Sequence, residues 1–72
     1  MSLFVLNRNP QTTGEHEVHN LNANCSYLPD RANQIELGQF ANCHEALTKA
    51  KQLYPNAAID GCYYCANACH SR

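Results

Sequence analysis

Positions 62–70 read Cys62-Tyr63-Tyr64-Cys65-Ala66-Asn67-Ala68-Cys69-His70, three thiols and an imidazole within nine positions of a chain that has five cysteines. Thiolates and imidazole nitrogens are the ligands of a tetrahedral metal such as zinc, and two cysteines separated by two residues can turn both sulfurs toward one point. Cys62 and Cys65 form that pair, and Gly61 just before them gives the backbone freedom for a sharp turn. Cys69 follows four residues after Cys65, so on a helical turn its sulfur would share the same face. Cys25 is distant in sequence but falls in a loop, where it is free to join them. A set of Cys25, Cys62, Cys65 and Cys69 would make a closed, all-thiolate site for one structural zinc ion.

Other fates of these residues compete. Free cysteines are often buried as small hydrophobes, and one or two disulfides are a further alternative. His19 and His70 are substitute ligands for the fourth position. Cys43 falls at the start of a helix, where the dipole lowers a thiol pKa; beside His44 it reads either as a reactive thiol or, as expected here, as a half-buried helix residue whose replacement is nearly silent. His16-Glu17-Val18-His19 lacks the spacing of the metalloprotease signature and reads as strand surface. The segment from Cys65 to His70 is one residue too long for covalent haem attachment. A thioredoxin-like dithiol belongs early in a βαβ domain, whereas only seven residues follow Cys65. An iron–sulfur cluster is compatible with the spacing.

The elements that must position these groups are short. Residues 3–6 read as a strand, 7–14 as a turn-rich loop and 15–19 as a returning strand, together an N-terminal hairpin. Residues 20–33, with several Asn and Pro29-Asp30, read as irregular. Residues 34–40 alternate polar and apolar side chains, the clearest strand pattern in the chain. Asn42 is a helix N-cap with Glu45 three residues on, and Ala46, Leu47, Ala50, Leu53 and Tyr54 then recur at helical spacing until Pro55. Ile59-Asp60-Gly61 reads as a turn delivering Cys62, and residues 65–70 as a last helical turn. The expected fold is α+β: a single β-β-β-α domain over residues 1–72 with a C-terminal cysteine knuckle.

Composition says why cross-links matter. Of the 44% hydrophobic residues, nine are Ala and five Cys, leaving fourteen large aliphatic, Met or Phe side chains. A core of that size supplies roughly 3–5 kcal/mol, and small domains commonly add a metal or disulfides. With no secretory leader visible and an odd cysteine count, the cytoplasm and metal ligation are expected over a disulfide framework. Net charge is −1, and Arg8, Arg31, Lys49, Lys51 and Arg72 are dispersed, so no nucleic-acid footprint is apparent. No stretch is long enough to span a bilayer. A protein partner is left open.

From Phe40 onward the chain resembles the small metal-binding modules of the Ada type and related modules appended to some bacterial nucleases. The matching residues are Phe40, Asn42, Glu45-Ala46 and Cys62-Tyr63-Tyr64-Cys65, with His19 and Cys25 similar to the first ligand segment; the likeness covers roughly residues 15–66. It implies that Cys25, Cys62 and Cys65 converge, with the fourth ligand among Cys69, His19 and His70 and Cys69 expected. The family's second cysteine, four residues after the first, is Pro29 here, so methyl-acceptor chemistry and DNA binding are not carried over. The expected function is non-catalytic: a zinc-stabilised binding or adaptor module. The alternative is thiol redox or metal handling by Cys62, Cys65 and Cys69.

Overall fold

The computed structural model describes residues 1–71, so Arg72, counted above among the dispersed cations, lies outside the described residues. Four strands form one sheet: β1 (Ser2–Asn7), β2 (His16–Asn20), β3 (Gln34–Phe40) and β4 (Ile59–Gly61), in the order β3-β1-β2-β4. The helix α1 (Cys43–Leu53) packs on one face. The fold is α+β, with the predicted hairpin in place: β1 and β2 are antiparallel, pairing Val5 with His19 and Leu6 with Val18. β3 joins the other side of β1, also antiparallel, and its register slips between Phe4 and Val5. Leu37 is the extra residue of this bulge, and Gly38 beside it takes φ 116°, a conformation open to glycine.

Phe4, Leu6, Val18 and Leu37 form the core with Ala46 and Ala50, both 0% exposed. The two alanines let α1 lie close to the sheet, while Leu53 and Tyr54 at its end stay exposed. The Asn42 side chain accepts from the Glu45 N–H (3.1 Å), and the Glu45 carboxylate reaches back to the Ala41 N–H (3.0 Å), one residue beyond the cap itself. The irregular stretch 20–33 contains two 3-10 turns, Leu21–Ala23 and Arg31–Asn33. A third, Asn67–Cys69, is the terminal turn read from sequence. Among the described residues no helix is long and apolar enough to cross a membrane.

Three expectations need correction. Residues 59–61 form a strand, not a turn: β4 runs parallel to β2 and pairs His16 with Ile59 and Val18 with Gly61. Three residues are too few for periodicity to reveal; the pairing is tertiary. Gly61 supplies space rather than turn freedom, because a Cβ there would stand 2.7 Å from both the Ala66 carbonyl oxygen and Cys69 Cβ. Finally, Cys69 is bonded to Cys43, tying the start of α1 to the C-terminal turn. A disulfide is thus present despite the odd count, and Cys43 is a covalent anchor rather than a dispensable helix residue.

Two outcomes follow. Gly61→Ala should lower stability by about 2–3 kcal/mol, since both neighbours are held and overpacking has nowhere to relax; a variant within 0.5 kcal/mol of wild type by denaturant unfolding (roughly the noise of a surface change) would refute the tight packing. Cys43→Ser should cost about 3 kcal/mol through the freed loop between residues 26 apart. Thermal melts with and without reductant check it: reductant should lower the wild-type Tm and leave the variant unchanged.

Candidate metal centre

β2 and the segment after β4 bring the first two groups together. Val18 pairs with Gly61, and the Cys62 N–H donates to the Val18 carbonyl at 2.9 Å. In this parallel register the next residues, His19 and Cys62, lie side by side. Val18 faces the core with Leu6, so strand alternation turns His19 to the opposite face with Val5, its cross-strand partner. His19 is 0% exposed, which corrects its reading as strand surface.

Cys65 comes in through the tight turn from Cys62, closed by the Ala66 N–H donating to the Cys62 carbonyl at 2.9 Å. Cys25 arrives from the loop after β2, where Asn24 adopts the left-handed conformation (φ 54°, ψ 47°) and redirects the chain. The ligand atoms of His19, Cys25, Cys62 and Cys65 all lie within 4.8 Å of one another. The sulfurs of Cys25 and Cys62 are 3.8 Å apart, and His19 Nδ1 is 3.5 Å from Cys65 Sγ and 3.9 Å from Cys25 Sγ. Bond lengths of about 2.3 Å to sulfur and 2.1 Å to nitrogen put tetrahedral ligands about 3.8 Å apart for two sulfurs and about 3.6 Å for sulfur and nitrogen. The observed separations fit a single ion.

The surroundings suit ligation. Burial pushes the His19 imidazole below its ordinary range, keeping it neutral and able to coordinate. Its Nε2 is buried without a hydrogen-bond partner, and the nearest carboxylate, Glu17, is 3.7 Å away. With Nδ1 on a metal, Nε2 carries the proton and points toward Glu17, the carboxylate–histidine arrangement that orients metal-bound imidazoles. Burial also raises the Glu17 carboxyl, and Gln11 opposes this by hydrogen bonding. Burial pushes the Cys62 and Cys65 thiols up; for Cys62 the backbone amides of Cys65 and Tyr64 pull the other way, as for Cys65 does that of Asn20 (3.4 Å to Sγ). Amides aimed at sulfur stabilise thiolates once a metal supplies the charge.

Of the four ligands expected from sequence, Cys25, Cys62 and Cys65 meet, and Cys69 does not: its sulfur is committed to Cys43. His70 is committed too, its Nδ1 donating to the Gly61 carbonyl at 3.0 Å and lying 3.4 Å from the buried Asp60 carboxylate. His16 Nδ1 pairs with the Asn7 carbonyl. His19 is the fourth member of the cluster. The sequence signal for it was its place on an alternating strand shortly before Cys25, on the face opposite Val18. Compared with protein-family models, with curated proteins and with solved structures, the chain matches none.

Proposed function

We propose that this domain binds one zinc ion through His19, Cys25, Cys62 and Cys65, and that it is a non-catalytic binding module whose fold the metal completes. The observation that carries the reading is the convergence of four soft ligand atoms, from segments up to 46 residues apart, at separations that match tetrahedral coordination. Four protein ligands close the coordination shell and leave no position for an activated water, which argues against hydrolytic chemistry. Raised thiol pKa values at Cys62 and Cys65 are the opposite of what a dithiol nucleophile needs, and so argue against the redox alternative. The likeness to Ada-type modules enters as an architectural proposal, with His19 taking the role expected of Cys69. The cytoplasm belongs to the same reading. A disulfide is unusual there, but the Cys43–Cys69 bond is shielded at residues only 8% and 7% exposed.

Native mass spectrometry of the freshly purified protein tests the ligand set. One zinc per chain is expected in wild type and in the Cys43→Ser/Cys69→Ser double variant. His19→Ala and Cys65→Ser should weaken binding by 10-fold or more, on the order of the loss seen even for outer-shell partners, and chelator should unfold the wild type. Metal retained by Cys65→Ser but lost from the double variant would overturn the assignment.

Metal uptake should also be pH-dependent in a defined sense. Cys62 and Cys65 have pKa values raised above the usual thiol range, so both are protonated at neutral pH without metal and must release their protons on binding. Apparent affinity should rise with pH by at least about two log units per unit through neutrality from these two thiols alone, and fall on acidification. Calorimetry in buffers of different ionisation enthalpy counts the protons; a count of zero would contradict thiolate ligation.

A further inference from the structure

Three of the chain's four tyrosines meet beside the metal centre. Tyr27 and Tyr64 stack at 4.2 Å between ring centroids, Tyr63 stands perpendicular to Tyr64 at 5.1 Å, and His70 perpendicular to Tyr63 at 5.4 Å. These rings are not core: Tyr27, Tyr63 and Tyr64 are 58%, 55% and 63% exposed, whereas Phe4 is buried and Phe40 packs against the core. Together with Gln11, Glu17 and Cys62 they line a surface pocket of about 280 Å³. Among the described residues that line it, the only carboxylate is Glu17, whose side chain is 16% exposed, and none is a lysine or arginine.

Perpendicular aromatic faces with a recessed carboxylate are the arrangement that attracts an organic cation, through the ring quadrupoles and the charge together. We propose that this pocket binds a methylated ammonium group presented on the side chain of a partner protein, as in a methylated lysine. The ligand chemistry follows from complementarity. A bare metal ion would find one carboxylate and otherwise only neutral oxygens, an anion would meet Glu17, and a neutral apolar group would offer that carboxylate no countercharge. A methylated ammonium spreads its charge over a poorly hydrated surface that rings can cover, so it loses less on leaving water than a primary ammonium. A side chain is favoured over a free small cation because the exposed tyrosine surfaces continue beyond the pocket, where a flanking peptide can lie.

The inference rests on the metal reading in one respect. Tyr63 and Tyr64 occupy the turn between Cys62 and Cys65, and Tyr27 follows Cys25 by two positions, so a metal holding those cysteines would also fix the rings. Three thiolates and a neutral histidine around a divalent ion carry a net charge of −1, which adds to Glu17 in favouring a cation.

The test is a titration of zinc-loaded protein, followed by tyrosine fluorescence and by two-dimensional NMR, with a short peptide carrying trimethyllysine. Parallel titrations use the unmethylated peptide, the neutral tert-butyl isostere of the side chain, and tetramethylammonium chloride. The expected result is saturable binding of the trimethylated peptide with shifts at Tyr27, Tyr63, Tyr64 and Glu17. Its affinity should exceed that of the unmethylated and neutral peptides by 10-fold or more, with tetramethylammonium weaker still. Tyr64→Ala should abolish the preference and Tyr64→Phe retain it. Equal affinity for the neutral isostere would overturn the cation site, and equal affinity for tetramethylammonium would overturn the side-chain source. Metal content is measured on each sample: loaded protein that ignores every ammonium sinks the pocket alone, whereas binding by protein that takes up no metal sinks the metal reading alone.

Discussion

The short parallel pairing of β2 with β4 is the constraint on which the rest depends. Three residue pairs, His16 with Ile59, Glu17 with Asp60 and Val18 with Gly61, set the register of the whole C-terminal segment. A shift by one residue would turn every side chain of β4 to the other face. It would move Cys62 away from His19 and break the Cys62 N–H bond to the Val18 carbonyl. Three backbone pairs alone are weak. The segment is held because Gly61 allows the Cys69 turn to close directly over it, and because Asp60 accepts from both the N–H and the hydroxyl of Ser71 (3.0 and 3.1 Å).

Free and bonded cysteines are segregated within one short stretch, residues 62–69. Cys69 turns toward the helix start and bonds Cys43, while Cys62 and Cys65 turn toward His19 and Cys25. The separation is geometric. Cys69 lies in the 3-10 turn packed on α1, four residues beyond Cys65, and this turn is not a continuous α-helix that would have stacked the two sulfurs. The five cysteines therefore divide as two bonded and three free, with His19 beside the free ones. Parity is uninformative when free and bonded cysteines occur in one chain. For an alanine-rich core the division is also economical: the disulfide restricts the unfolded chain, and the proposed metal would stabilise the folded one.

Features encoded locally were legible in the sequence. Alternation marked residues 34–40 as a strand, the Asn42–Glu45 box marked the helix start, and the spacing of Cys62 and Cys65 marked a turn that brings both sulfurs into one cluster. What could not be read depends on long-range pairing. β4 is too short for a pattern and exists because β2 offers it an edge. The Cys43–Cys69 bond joins residues whose proximity arises only once α1 has packed on the sheet. His19 looked like surface because β2 carries His16 and Glu17 beside it. Its burial comes from the loop bearing Cys25 and the knuckle closing over the second face of the sheet, which alternation within one strand does not record.

The tyrosines show how such a site could be more than a staple. Large aromatic side chains left exposed on a small domain lose the burial that would fix them, and free rings make poor recognition surfaces because ordering them costs conformational entropy. Here a metal held by the cluster would remove that entropy by coordination rather than by burial. Tyr63 and Tyr64 belong to a turn bounded by two cysteines of the cluster, and Tyr27 to the loop that carries a third. Stacking of Tyr27 on Tyr64 joins the two ligand-bearing loops across the surface of the site. A metal drawing those loops together would therefore also set the spacing of the rings. In that arrangement the stability of the fold and the shape of this aromatic surface would depend on the same ion, and an outward-facing pocket would keep its form because the groups beneath it are fixed.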